Sequence, residues 1–277
     1  VLNTIIQGDC FQVLDTISQS VDLILTSPPY AQQRKKYYNS ISEEEYPEWT
    51  LRWMQKTIPI LKPNGSVLIV IRTNLKKGIV SDYVLRTRLL LRENGWYEPE
   101  ELLWIKPDGP PLGSVYRPRR SWESILWFSR TNRPYCNPKA IGSFTQKCGL
   151  GPNSTKKGLK EYVQGVSKTQ KTGIARCRDY FSVSVSENDR SEFNTHPAQF
   201  PQALAEQLIS VFTPENGVVL DPFVGSGTSA VAAMGLGRSY IGVELHQEYC
   251  AIAEKRLAKK GAQLHLFSLT TAEVIVK

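Results

Sequence analysis

The stretch that decides the fold is VVLDPFVGSGTSAVAAMGLG, residues 218–237, followed after Arg238 by SYIGVEL, residues 239–245. VVLDPF is an apolar run of strand length that stops at a proline. Gly225-Ser226-Gly227-Thr228 is a glycine-rich turn, and the small residues after it open a helix. SYIGVEL is a second buried strand that closes on Glu244. Strand, glycine turn, helix, strand and terminal acid, in that order, make half of a nucleotide-binding fold whose ligand lies at the carboxyl edge of a parallel sheet.

The turn also narrows the ligand. Glycines at alternate positions let backbone approach a ligand closely, and an acid at the end of the second strand accepts hydrogen bonds from a ribose diol. The dinucleotide fingerprint G-x-G-x-x-G is incomplete, because Ala230 stands at its third position, and Asp221 adds a carboxylate at the mouth. Negative charge there repels a pyrophosphate but suits a cofactor carrying an amino group and a sulfonium. The expected cofactor is S-adenosylmethionine rather than NAD.

Working outward, HPAQFPQALAEQLISVF (196–212) reads as an amphipathic helix opened by two prolines, and a further helix runs from Gln247 to about Lys260. Near the other end, LNTIIQGD is a short strand closing on Gly8-Asp9; a short helix and the strand Val21–Leu25 follow. Ser42 and Glu45 form a capping box. Tyr46, Trp49, Trp53, Ile58 and Leu61 then recur at near-helical spacing, predicting a helix that Lys62-Pro63-Asn64-Gly65 ends. SVLIVI (66–71) is a buried strand, 82–94 a helix, and ELLWIK (101–106) and SILWFSR (124–130) two strands joined by a loop rich in Pro, Gly and Arg. The expected fold is α/β, with a mostly parallel Rossmann-like sheet and an antiparallel edge hairpin and no internal repeat.

Composition sets broad bounds. A chain of 277 residues can bury one substantial core, and its net charge of +8 favours a polyanionic partner. The cysteines (Cys10, Cys136, Cys148, Cys177, Cys250) are odd in number, scattered and never C-x-x-C, which argues against a disulfide scaffold or zinc site. They suit a reducing compartment, cytoplasmic in a prokaryote or nuclear in a eukaryote. No apolar run reaches membrane-span length, and the first residues lack a signal-peptide layout. From Tyr135 to Tyr180, nine basic residues face two acidic ones amid many Gly, Ser, Thr and Asn, so nearly the whole excess of charge sits in one irregular segment. It is either a solvated linker or a phosphate-contacting loop.

One stretch demands a chemical explanation. In LTSPPYA (25–31), Pro28 and Pro29 fix two φ angles and remove two N–H donors at the end of a buried strand, where something rigid is being held. Thr26-Ser27-Pro28-Pro29-Tyr30, together with LDPFVGSGT and HPAQFP, resembles the DNA amino-methyltransferases, and most of all the cytosine-specific members that make N4-methylcytosine. The resemblance covers nearly the whole chain outside residues 135–180. It implies a class I methyltransferase fold with circularly permuted motif order, S-adenosylmethionine as methyl donor and double-stranded DNA as substrate. A cognate restriction endonuclease is a partner the chemistry does not itself require.

The resemblance also assigns roles. Ser27 and the Pro28 carbonyl would accept the two N–H bonds of the target amine, Pro29 would keep that turn rigid, and Tyr30 would stack on a base flipped from the duplex. Ser27, where adenine-directed relatives carry Asp or Asn, favours cytosine; adenine is the runner-up, and a non-catalytic nucleic-acid-binding module is a third reading. Asp9 would reach the cofactor's adenine amino group, Glu244 its ribose, and Asp221, Phe223, Gly225, Gly227 and Thr228 would line it, with Phe200 near its methionine end. Asp9 has the simpler role of capping a helix, and Phe200 that of core. Arg34, Lys35 and Lys36, interleaved with tyrosines beyond the motif, and Lys156, Lys157 and Lys160 are the expected DNA contacts. His196 and His246 are expected to be structural. Residues 1–134 would form a catalytic half, 135–190 a basic target-recognition insertion, and 191–277 the S-adenosylmethionine-binding half of the same domain.

Overall fold

The computed structural model describes residues 2–31, 41–108, 116–143, 173–185 and 200–274, with side chains of the last helix as far as residue 265. Its strands are β1 (Thr4–Gln7), β2 (Val21–Thr26), β3 (Leu61–Ile71), the small pair β4 (Leu75–Lys76) and β5 (Ile79–Val80), β6 (Glu101–Ile105), β7 (Trp122–Ser129), β8 (Tyr180–Ser182), β9 (Val218–Asp221) and β10 (Ser239–Glu244). The helices are α1 (Cys10–Val13), α2 (Tyr46–Thr57), α3 (Tyr83–Glu93), α4 (Gln202–Phe212), α5 (Thr228–Gly235) and α6 (Gln247–Val274).

The main sheet has the order β1-β10-β9-β2-β3-β7-β6-β8, and only β7 runs against its neighbours. Both faces are covered, as a parallel sheet requires, and the two-residue period of the strands divides the core accordingly. Ile24, Val67, Ile69, Ile71, Ile241 and Val243 point into one core, where α2 and α3 supply Trp53, Met54, Tyr83 and Leu91. Leu23, Leu25, Leu68, Val70 and Val219 point into the other, against Leu204, Leu208 and Phe212 of α4 and Ala232 of α5.

The permuted order is visible in the pairing. β1 lies parallel to β10, so the first strand of the chain completes the edge built by its last ones. β2 and β9, nearly two hundred residues apart, are parallel neighbours, with Leu23 beside Val219 and Ile24 beside Leu220. Their carboxyl ends, carrying Ser27 and the glycine turn, therefore lie side by side.

Several boundaries differ from expectation. The capping box forms: the Ser42 hydroxyl donates to Glu45 Oε2 at 2.8 Å and accepts from the Glu45 N–H at 3.1 Å. The helix it opens stops at Thr57, however, and Lys62-Pro63-Asn64-Gly65 lies within β3. There the pairing with β2 shifts from Val21–Leu61 to Leu23–Ser66, so the extra residues are absorbed as a bulge. Gly65 permits it, because a Cβ would stand 2.7 Å from Leu61 Cδ1 and 3.0 Å from the carbonyl oxygens of Asp22 and Lys62. The β6–β7 hairpin is not outermost, since β8 adds beyond it, parallel to β6. That strand belongs to the basic segment, whose flanks are tied to the domain by a bond from the Asn137 N–H to the Val211 carbonyl (2.7 Å) and to each other by one from the Cys177 N–H to the Pro138 carbonyl (2.6 Å). The last helix continues to Val274, beyond Lys260.

The amino edge is pinned by Asp22, which is buried and accepts from Lys62 Nζ with both oxygens at 2.8 Å and from the Val218 N–H at 2.8 Å. One carboxylate thus ties β2, the bulge of β3 and the start of β9. Asp22→Ala should lower unfolding stability by about 1–3 kcal/mol, the cost of an unsatisfied buried N–H and a lost charged bond. A urea midpoint equal to wild type would show that the sheet does not depend on this clamp.

Candidate active site

The glycine turn is organised by side chains around it. Asp221, at the end of β9 and only 3% exposed, accepts from the Phe223 N–H at 3.0 Å and from the Ser229 hydroxyl at 2.5 Å, with the Thr26 hydroxyl of β2 facing the same carboxylate. Its carboxylate is thus committed to holding the turn, deeper than the mouth position that its charge suggests in the sequence. Burial pushes its pKa up to about 6. Gly227 adopts φ +87°, and a Cβ there would lie 2.9 Å from the Ala253 Cβ of α6, so only glycine fits. Arg256 of α6, also buried, donates through Nη1 to the Ser226 carbonyl (2.8 Å), the Ser226 hydroxyl (3.1 Å) and the Thr228 hydroxyl (3.2 Å). Thr228 is thereby engaged with α6.

Glu244 ends β10, 5% exposed, and accepts from the Gly225 N–H at 3.0 Å and from the His246 N–H at 2.9 Å. Burial raises its pKa above the usual glutamate value. Beside it, Phe223 packs against Trp49 and Trp53 of α2 with ring centroids 5.3 and 5.7 Å apart, and Trp49 meets Phe11 of α1 at 6.4 Å. A buried acid, a glycine cradle and an aromatic wall suit a nucleoside: hydroxyls for the acid and a flat ring for the wall. These features fit S-adenosylmethionine, which when bound supplies an electrophilic methyl group on sulfur. Asp9 is exposed and accepts from the Phe11 N–H at 2.8 Å, so it caps α1. Phe200 is buried in the core beside α4.

Ser27, Pro28, Pro29 and Tyr30 follow β2, the parallel neighbour of β9. The Ser27 hydroxyl donates to the Tyr30 oxygen at 3.4 Å, and the Tyr30 hydroxyl donates to Glu123 Oε2 at 2.8 Å. Glu123, buried near the start of β7, is paired through Oε1 with Lys106 Nζ, which also lies 4.1 Å from the centre of the Trp104 ring. Because β7 is antiparallel, Glu123 reaches the same edge as the ends of β2 and β3. Asn74 closes the site from β3's side: its side-chain amide donates to the Ala31 carbonyl and to Glu43 Oε1, both at 2.8 Å, and so ties the two stems of segment 32–40 together.

The structure therefore brings Ser27, Pro28, Pro29, Tyr30, Asp221, Phe223, Gly225, Gly227, Thr228 and Glu244 to one edge. Arg34, Lys35, Lys36, Lys156, Lys157, Lys160 and His196 lie outside the described residues. Sequence reasoning missed Glu123, Lys106, Asn74 and Arg256; a buried acid on an otherwise apolar strand, as in WESILWFS, is the one signal available for Glu123. At the rim, Arg120 donates to the Thr73 carbonyl (2.6 Å) and hydroxyl (2.7 Å), and burial together with the charge of Arg72 lowers its pKa. Among the described residues no group of three or more His, Cys, Asp or Glu side chains could hold a metal, and no helix is long and apolar enough to cross a membrane.

Comparison with known proteins agrees with this geometry. A family model described as DNA methylase matches residues 21–255. The chain is similar to the type II methyltransferase M.ScaI of Streptomyces caespitosus, 30% identical over 277 residues that cover 93% of this chain and 82% of that one. Among solved structures it is similar to the PvuII DNA methyltransferase (cytosine-N4-specific), with TM-score 0.69 and 25% identity over 91% of this chain and 85% of that one. It shares its fold with M1.HpyAVI in complex with S-adenosylmethionine, with TM-score 0.61 and 24% identity over 92% of this chain and 98% of that one. The fold is accordingly the class I methyltransferase fold in permuted order.

Asp221 takes up its proton at about pH 6 in the folded protein, against 3.8 for a free aspartate. The native state binds this proton more tightly than the unfolded chain, so its contribution to stability is fully present below about pH 4 and is lost as the pH rises through 6. Asp221→Asn removes the titration. The variant should gain stability relative to wild type by on the order of 3 kcal/mol between pH 4 and pH 7. Parallel urea curves for the two proteins at both pH values test this; a constant difference would mean that Asp221 does not titrate in that window.

Proposed function

This chain belongs to the DNA methylase family, whose methyl donor is S-adenosylmethionine, and we propose that it methylates the exocyclic N4 amine of cytosine within a specific sequence of double-stranded DNA. The observation that carries the reading is the placement of Ser27, Pro28, Pro29 and Tyr30 at the end of β2, immediately beside the glycine turn that ends β9. An exocyclic amine is a poor nucleophile because its lone pair is delocalised into the ring. The Ser27 oxygen and the Pro28 carbonyl accept its two N–H bonds and favour the tetrahedral nitrogen from which the lone pair can attack. Fixed dipoles then stabilise the positive charge that methyl transfer puts on nitrogen. Tyr30 supports the base, which must leave the duplex to reach this edge.

On the cofactor side, Glu244 accepts from the ribose hydroxyls, Asp9 from the adenine amino group, and Phe223, Gly225, Gly227 and Thr228 line the pocket. Asp221 keeps the turn in shape, and Phe200 backs the methionine end from the core. Residues 135–190 read the target sequence between the catalytic half, 1–134, and the cofactor half, 191–277. Arg34, Lys35, Lys36, Lys156, Lys157 and Lys160 contact phosphates, and Arg72 and Arg120 add positive charge at the same edge. Cytosine is favoured over adenine by Ser27, a neutral acceptor where the adenine enzymes usually carry Asp or Asn.

Digestion of duplex DNA to nucleosides after incubation with labelled cofactor should yield N4-methylcytosine. N6-methyladenine would transfer the same mechanism to adenine, and unlabelled DNA from a library of sequences would overturn the reading. Glu244→Ala should weaken S-adenosylmethionine binding by about 1.5–3 kcal/mol, the scale of a charged hydrogen-bond partner. Calorimetry showing unchanged affinity would remove Glu244 from the ribose site.

A further inference from the structure

We propose that Glu123, acting through Tyr30, sets the direction of the hydrogen bond made by Ser27 and so keeps the Ser27 oxygen an acceptor toward the target amine. The inference rests on the reading that Ser27 meets that amine, and it concerns what makes a serine fit for the task. A hydroxyl can donate or accept, and its proton rotates to suit its surroundings. A serine whose proton turned toward the amine would meet it with positive charge where a lone pair is needed.

Three residues remove that freedom. Glu123 is buried and ion-paired with Lys106, and a carboxylate only accepts. At 2.8 Å from Glu123 Oε2, the Tyr30 hydroxyl must therefore donate. Burial and the neighbouring Glu123 charge hold the Tyr30 pKa well above that of a free phenol, so this donor keeps its proton. Having donated, the Tyr30 oxygen is left as an acceptor, and the Ser27 hydroxyl, whose oxygen lies 3.4 Å away, turns its proton to it. The lone pairs of Ser27 then face outward. Lys106, seated over Trp104 as well as against Glu123, keeps the end of the chain charged. Tyr30 thus does more than stack: its hydroxyl passes the polarity of an ion pair between Lys106, just after β6, and Glu123 of β7 to the motif after β2. Glu123 and Lys106 are positioning residues, because neither touches the reacting atoms.

The test is single-turnover methyl transfer at saturating DNA and cofactor. Glu123→Gln keeps the size of the side chain but offers a donor to Tyr30, which lets the chain reverse. Its rate should fall by about 10–100-fold, the range for one misdirected polar group in a transition state. Cofactor affinity and KM for DNA should stay within about twofold, since only the transition state gains from the oriented acceptor. In a Ser27→Ala background the same substitution should leave the rate unchanged, because its effect passes through the Ser27 hydroxyl. A merely structural role would lower the rate equally in both backgrounds, and that result, or a Glu123→Gln rate equal to wild type, overturns the proposal. If Glu123→Gln does not fold, Tyr30→Phe carries the same comparison, since it removes the link and leaves the ion pair intact. A wild-type protein that transfers no methyl to DNA overturns the assigned function and this inference together, whereas active wild type with an equally active Glu123→Gln overturns the inference alone.

Discussion

A carboxylate buried between two strands from opposite ends of the chain is the constraint on which the site depends. Asp221 has almost no contact with water, yet it accepts from the Phe223 N–H and the Ser229 hydroxyl, with the buried Thr26 hydroxyl nearby. The first shapes the glycine turn, the second fixes the start of α5, and the third belongs to the strand that carries Ser27. Without an acceptor at this point, the turn would lose the bonds that shape it beside the end of β2. The raised pKa is the energetic trace of the arrangement: burial costs more than these donors return, and the cost falls where two halves of a reaction must meet.

That junction explains how a permuted chain still assembles the proposed site. The proposed chemistry needs the ends of β2 and β9 side by side, and parallel pairing supplies this whichever strand is made first. β1 lies beside β10, and the Gly8 N–H bonded to the Glu244 carbonyl at 2.9 Å brings the Asp9 cap alongside Glu244. Order along the chain is a matter of connection, while adjacency at the carboxyl edge is a matter of register.

What could be read in the sequence follows from the range over which each signal acts. The β9–turn–α5–β10 unit and the Ser42–Glu45 capping box are local, and both are found where their residues place them. Lys62-Pro63-Asn64-Gly65 misleads because it breaks a helix and a strand alike; its bulge is held by Asp22, forty positions away, which no periodicity reveals. Arg256 sits in KRLAKKG and looks like one more solvated charge, yet it clasps the glycine turn. The Tyr30 hydroxyl was silent for the same reason, since Glu123 lies ninety-three positions further on. Side chains that act by touching a distant partner leave only their residue type in the sequence.

The missed residues share a logic with the expected ones. Asp221, Glu244 and Glu123 are all buried at the same edge, and each only accepts hydrogen bonds while ionised. Each therefore dictates which way its neighbours' protons point: Asp221 orients the turn, Glu244 draws in the Gly225 N–H, and Glu123 turns the Tyr30 hydroxyl toward itself. Water would supply the same bonds without direction. Replacing it with fixed carboxylates means that the dipoles facing the substrate need not reorganise as charge develops, which is where preorganised sites gain over solution. Lys106 has a matching purpose, for its ammonium, paired with the other carboxylate oxygen, holds Glu123 in place beside Tyr30.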